Sequence, residues 1–131
     1  MPHFIVEYSA NIEQELDLPE FLAKIRDVAV ETGLFPLGGI RVRAARRDHY
    51  VIADGDPENG FVHIVARLRA GRPFDLRKQA GHQIFGVICD HLQSLYNRRP
   101  FAISFEMQEI DMDFNFKKNN LHERLEHKQE A

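Results

Sequence analysis

A strand–helix–strand pattern occurs twice in this chain of 131 residues, and nothing else in it limits the fold as strongly. In the first copy, Phe4, Val6 and Tyr8 alternate with Ile5 and Glu7, the two-residue period of a strand. Ser9-Ala10-Asn11 breaks that strand. Asp17 stands where it can cap a helix beginning near Pro19, with Glu20 in the first turn. Phe21, Leu22, Ile25, Val28 and Ala29 recur at helical spacing until Gly33 offers a stop. After the loop Phe35-Pro36-Leu37-Gly38-Gly39, Ile40, Val42 and Ala44 alternate with Arg41 and Arg43 in a second strand.

The second copy repeats this architecture without repeating the residues. Phe61 to Leu68 reads as a strand, Ala70-Gly71-Arg72 ends it, and Pro73 with Asp75 starts a helix. Leu76, Ala80, Ile84, Val87, Ile88, Leu92 and Leu95 trace that helix until Asn97-Arg98-Arg99-Pro100 stops it. Phe101, Ile103 and Phe105 open a fourth strand. The expected organisation is one α+β (α/β) domain over 1–131, with β-α-β units at about 2–46 and 60–110 and a C-terminal tail at 111–131. Each crossover makes a parallel, right-handed strand pair. Two of them give a four-stranded sheet with two helices on one face. The opposite face then leaves apolar side chains of strands one and three uncovered, and oligomerisation is the simplest cover.

Composition narrows the function. Hydrophobic residues make up 44%, enough for a core. No apolar run approaches the roughly 20 residues of a membrane span. The N-terminus lacks a basic stretch followed by an apolar region, so a cytoplasmic protein without membrane partners is expected. A net charge of −3 argues against nucleic acid as a partner. Cys89, beside Ile88 in a helical pattern, reads as a buried free thiol. The acids from Asp54 to Glu58 loosely resemble a calcium loop, but Asn59 and Val65 stand where Gly and Glu are needed. His122 and His127 have poor ligand spacing, and no phosphate, dinucleotide or serine-nucleophile fingerprint is present. Neither a cofactor nor a metal is expected.

Chemistry rests on a few residues. If Met1 is removed, Pro2 carries a secondary amine at the start of a rigid strand. Burial and nearby arginines would lower its pKa toward neutrality, where a base works best. Taken alone, Pro2 can also be a tolerated second residue. Arg41 and Arg43 are two apart on a strand and point to one face, which suits a dicarboxylate or simply a solvated face. Arg72 lies at a strand-to-helix junction, as an anion contact or a loop arginine. His63, on a face with Phe61 and Val65, reads as a hydrogen-bonded core or interface histidine.

Taken in order, several segments carry a resemblance. They are Pro2-His3-Phe4-Ile5-Val6-Glu7, Gly39-Ile40-Arg41 with Arg43, Ala53-Asp54-Gly55, Phe61-Val62-His63 and Ala70-Gly71-Arg72. Ser104-Phe105-Glu106 and Asn115-Phe116-Lys117 with Asn119-Asn120 complete the set. The chain resembles the tautomerase superfamily over residues 2 to about 122, and within it the family of 5-carboxymethyl-2-hydroxymuconate isomerases. That resemblance implies a cofactor-independent, metal-free homotrimer acting on a small polycarboxylate in the breakdown of aromatic acids such as homoprotocatechuate. It implies Pro2 and Arg41 as catalytic residues, with Arg43, Arg72, Asn115 and Phe116 binding substrate. Phe114 and Asn119 would close the pocket or reach a neighbouring subunit. Arg46, Arg47 and the charged tail beyond His122 have no counterpart in it. Two other readings stay open: another tautomerase activity of phenylpyruvate type, and a non-catalytic, ferredoxin-like oligomeric binding module.

Overall fold

Phe4, Val6 and Tyr8 are buried while His3, Ile5 and Glu7 between them are partly exposed, so strand β1 (His3–Ser9) has one inner face. This alternation belongs to a computed structural model that describes residues 1–130, with side chains through Lys128; Ala131, the last residue of the expected domain and tail, lies outside the described residues. After β1 the chain makes a 3-10 turn and a short helix α1 (Glu13–Leu16), neither of which the apolar pattern announces. Helix α2 (Leu18–Glu31) then buries Phe21, Ile25, Val28 and Ala29.

Asp17 does precede α2, but its side chain caps nothing. It sits in the left-handed region at φ 47°, where the sharp link from α1 to α2 requires it, and its carbonyl accepts from the Phe21 amide. Gly33, at φ +76°, closes the far end as glycine readily does.

Strand β2 (Arg41–Arg47) pairs parallel with β1, His3 standing opposite Arg41. Strand β3 (Gly60–Arg69) pairs antiparallel on the other side of β1, and β4 (Phe101–Ile110) runs parallel to β3. The sheet order is β2-β1-β3-β4. Helix α3 (Phe74–Arg98) links β3 to β4 and buries Ala80, Ile84, Ile88, Leu92 and Leu95, one per turn. Leu76, read as part of that stripe, is exposed. Both helices cover the same side of the sheet, where Val62, Ile64, Ala66 and Leu68 of β3 join the inner residues of β1 in one core. Helix α4 (Leu121–Glu130) ends the described chain.

The uncovered face carries apolar side chains of strands one and three, as expected, but few of them. Most apolar residues of β1 and β3 lie under the helices, while Ile5, Phe61 and Val65 of these strands stand on the open face among charged and polar neighbours. Arg46 and Arg47 pair with Glu13 at 2.6 Å and Glu7 at 2.8 Å, so they tie β2 to its neighbours. The Asp54–Asn59 stretch is a turn closed on itself: the Asp54 carboxylate accepts from the Asp56 amide and the Asn59 side chain.

Candidate active site

The start of β1 is held in place by β2. The Arg41 amide donates to the Pro2 carbonyl at 3.0 Å, and Pro2 itself is buried. Beside it runs the tight 3-10 turn Leu37–Gly39, whose glycines let other groups approach. The Gly38 carbonyl accepts from the Arg41 guanidinium at 3.1 Å and from the Asn119 side chain at 3.0 Å. His122, in the first turn of α4, packs so closely on Gly38 that a Cβ there would lie 2.6 Å from its Nδ1. The tail therefore folds back over the N-terminus.

Between these parts lies a cavity of about 430 Å³, lined by Met1, Pro36, Gly39, Arg69, Arg72, Lys117, Asn119 and His122. It is strongly cationic. Arg72 donates to the carbonyls of Leu34 at 2.9 Å and Arg69 at 3.0 Å, and its guanidinium lies 5.0 Å from the Phe35 ring centre. These contacts hold the fork rigid while leaving it charged. The terminal amine, here that of Met1, holds its proton less tightly than an ordinary α-amino group of pKa 8.0. Burial is the first cause, followed by the charges of Lys117, Arg72, Arg69 and Arg41. With Met1 in place the Pro2 nitrogen is a tertiary amide and has no basic lone pair.

The residues singled out in the sequence are only partly brought together. Pro2 and Arg41 adjoin the cavity, and Arg72 lines it. Asn119, expected either to close the pocket or to reach a neighbouring subunit, lines it as well. Arg43 shares a sheet face with Arg41, as expected, yet it is exposed and reaches His3 Nδ1 at 3.1 Å instead. Burial, then Arg43, lowers the His3 pKa, which favours a neutral ring at that contact. Asn115 and Phe116 do not line the cavity, and Phe116 is 87% exposed. Among the lining groups with basic side chains, Arg69, Lys117 and His122 are not singled out by the sequence as site residues. Lys117 belongs to the segment Asn115-Phe116-Lys117, but only the fold shows that the tail returns to the N-terminus.

Two other groups have structural contacts, and Cys89, expected to be buried, is a free thiol only partly so. His91 stacks on Phe21 with ring centres 4.6 Å apart, and its Nε2 lies 2.7 Å from the Leu16 carbonyl. His63 Nδ1 lies 2.6 Å from Ser104 Oγ on the open face. Burial and then Asp90 raise the Cys89 thiol pKa, which disfavours the thiolate.

The architecture is that of the tautomerase fold. A fused 4-OT solved as a symmetric trimer superposes with a TM-score of 0.61, covering 88% of this chain and 93% of that one; at 19% identity the likeness concerns the fold alone. Closer matches narrow the class. The family model described as 5-carboxymethyl-2-hydroxymuconate isomerase matches residues 2–125. The 5-carboxymethyl-2-hydroxymuconate Delta-isomerase of Escherichia coli is 44% identical over 122 residues, 93% of this chain and 97% of that protein. The crystal structure of a 5-carboxymethyl-2-hydroxymuconate isomerase from Deinococcus radiodurans R1 is 36% identical, with a TM-score of 0.89 over 95% of this chain and 93% of that one. This chain belongs to the 5-carboxymethyl-2-hydroxymuconate isomerase family, and it is an isomerase.

Proposed function

We propose that the chain, after loss of Met1, ketonises 5-carboxymethyl-2-hydroxymuconate, with the Pro2 amine as base and then acid. The observation that carries this reading is the cationic cavity at the buried N-terminus. The reaction needs one group that accepts and returns a proton. The amine takes the proton of the 2-hydroxyl, and the oxygen electron pair forms the C2 carbonyl. The two C=C bonds collapse to one between C3 and C4, and the ammonium returns its proton to C5. Atoms and charge balance without a redox carrier, and the proposal invokes no cofactor or metal.

The cations have two roles in this reading. Arg41, Arg69, Arg72 and Lys117 keep the amine unprotonated by repulsion and stabilise the developing dienolate. The substrate bears three carboxylates, and several fixed cations suit it better than a monocarboxylate. Arg43, Asn115 and Phe116 do not line their own chain's cavity, which supports a second part of the proposal. The active form is a homotrimer in the cytoplasm, and these residues serve a neighbour's cavity or the contact that builds it.

Turnover of 5-carboxymethyl-2-hydroxymuconate by protein whose intact mass shows free Pro2, compared with phenylpyruvate enol, tests the reading. A clear preference for the tricarboxylate is expected. Preference for the monocarboxylate, or equal turnover by protein with a blocked terminus, would overturn it.

A further inference from the structure

A second cavity, of about 350 Å³, lies away from the N-terminus, between the first half of α3 and the helix-side face of edge strand β4. Phe74, Phe85, Phe105 and Met107 line it. Phe74 is 67% exposed, an unusual position for a phenylalanine that has no further role. Gly81 forms the narrow point, where Met107 Sδ would lie 2.9 Å from a Cβ. The rim carries Lys78 and His82. Lys78 has no carboxylate partner among the described residues.

The same chain displays a matching projection. The 3-10 turn Met112–Phe114 follows β4, and Phe114 at its end is 77% exposed. The Asp111 carboxylate caps that turn, while the Asp113 carboxylate has no partner among the described residues. An aromatic ring beside a free carboxylate complements an apolar groove beside a free ammonium in both shape class and charge.

We propose that the groove of one copy receives Phe114 of a second copy, with Asp113 of that copy facing Lys78. The inference rests on the homotrimer reading above and assigns its contact. Groove and projection are different surfaces, so the contact is head-to-tail, and three such contacts close a ring. The groove also borders the active-site loop. Glu109 accepts from Arg77 at 3.3 Å and from the Gly71 amide at 3.2 Å, and Arg77 Nε donates to the Arg72 carbonyl at 3.0 Å. A neighbour seated in the groove would brace the loop that carries Arg72.

Sedimentation velocity across a protein dilution series tests this, with circular dichroism to establish folding. The set is wild type, Phe114→Ser, Lys78→Glu, Asp113→Lys and the Lys78→Glu/Asp113→Lys pair. The trimer is expected to dissociate at concentrations at least about tenfold higher in Phe114→Ser and in each charge reversal, with recovery in the pair. Phe114 and both charges are exposed, so none of these variants threatens the core. A wild-type trimer that all four variants leave unchanged would overturn the docking contact alone. A wild-type monomer would overturn it together with the homotrimer. Mass is read here and not turnover, so an inactive but normally assembled protein would count against the isomerase substrate only.

Discussion

Pro2 is buried and its carbonyl is tied to Arg41, so a free amine at that nitrogen would be held at a fixed orientation toward the cationic cavity. Replacing Pro2 with Ala leaves a primary, more mobile amine. We expect kcat/KM to fall by roughly 10²-fold or more while the thermal midpoint moves little, measured by turnover and calorimetry on the same sample. Loss of folding in step with loss of turnover would show that Pro2 is only structural. The amine also sets a pH limb. If Pro2 is the base it works unprotonated, so activity should be lost as pH falls through its pKa, which the burial and the four cations that lower the Met1 amine at this place would also lower. Lys117→Ala removes a repelling charge, so the acid limb of kcat/KM should move to higher pH; an unmoved limb would mean that another group is titrating. In the chain that keeps Met1, the folded state binds the Met1 amine proton less tightly than the unfolded one, so a stability contribution is lost as pH falls from 8.0 through the lowered value.

At the scale of elements, the turn Leu37–Gly39 and α4 act together. Gly38→Ala would put a methyl against the His122 ring at 2.6 Å and lift α4 from the turn. Faster hydrogen exchange in α4 and a several-fold loss of kcat/KM are expected. Both should be relieved when His122→Ala accompanies the change, since that removes the clash. In the core, Ile84 of α3 is fully buried, and Ile84→Ala should cost about 2–5 kcal/mol in denaturant unfolding. The elements themselves were largely legible. Both long helices and all four strands follow from apolar periodicity, because each buries one face against the same core. Helix α1 was not legible, since it is one turn long and is made by the tight link to α2 and not by an apolar stripe.

At the scale of the whole molecule, the sheet has two edges, β2 and β4, and a mixed open face with Ile5, Phe61 and Val65 at its apolar positions. Such a sheet is consistent with partners at its edges. If the homotrimer is the active form, thermal midpoint and specific activity should both rise with protein concentration and level off together. A midpoint independent of concentration over a hundredfold range, about the span needed to see mass action, would argue for an active monomer. The expectation that strands one and three leave apolar side chains uncovered holds for Ile5, Phe61 and Val65. Most of the apolar residues of these strands nevertheless face the helices, because sheet order and crossover direction turn that alternating set inward.

Local physics acts between residues close in the chain, and so the sequence by itself determined the paired β-α-β units, the strand that follows Pro2 and the common face of Arg41 and Arg43. The tertiary structure decided what distant segments share. It placed β1 antiparallel to β3, turned Arg43 toward His3, and brought Arg69 from the end of β3 and Lys117, Asn119 and His122 from the tail to one cavity. No periodicity encodes that meeting. It depends on the path of the tail after β4 and on Gly38 having no side chain where His122 comes to rest.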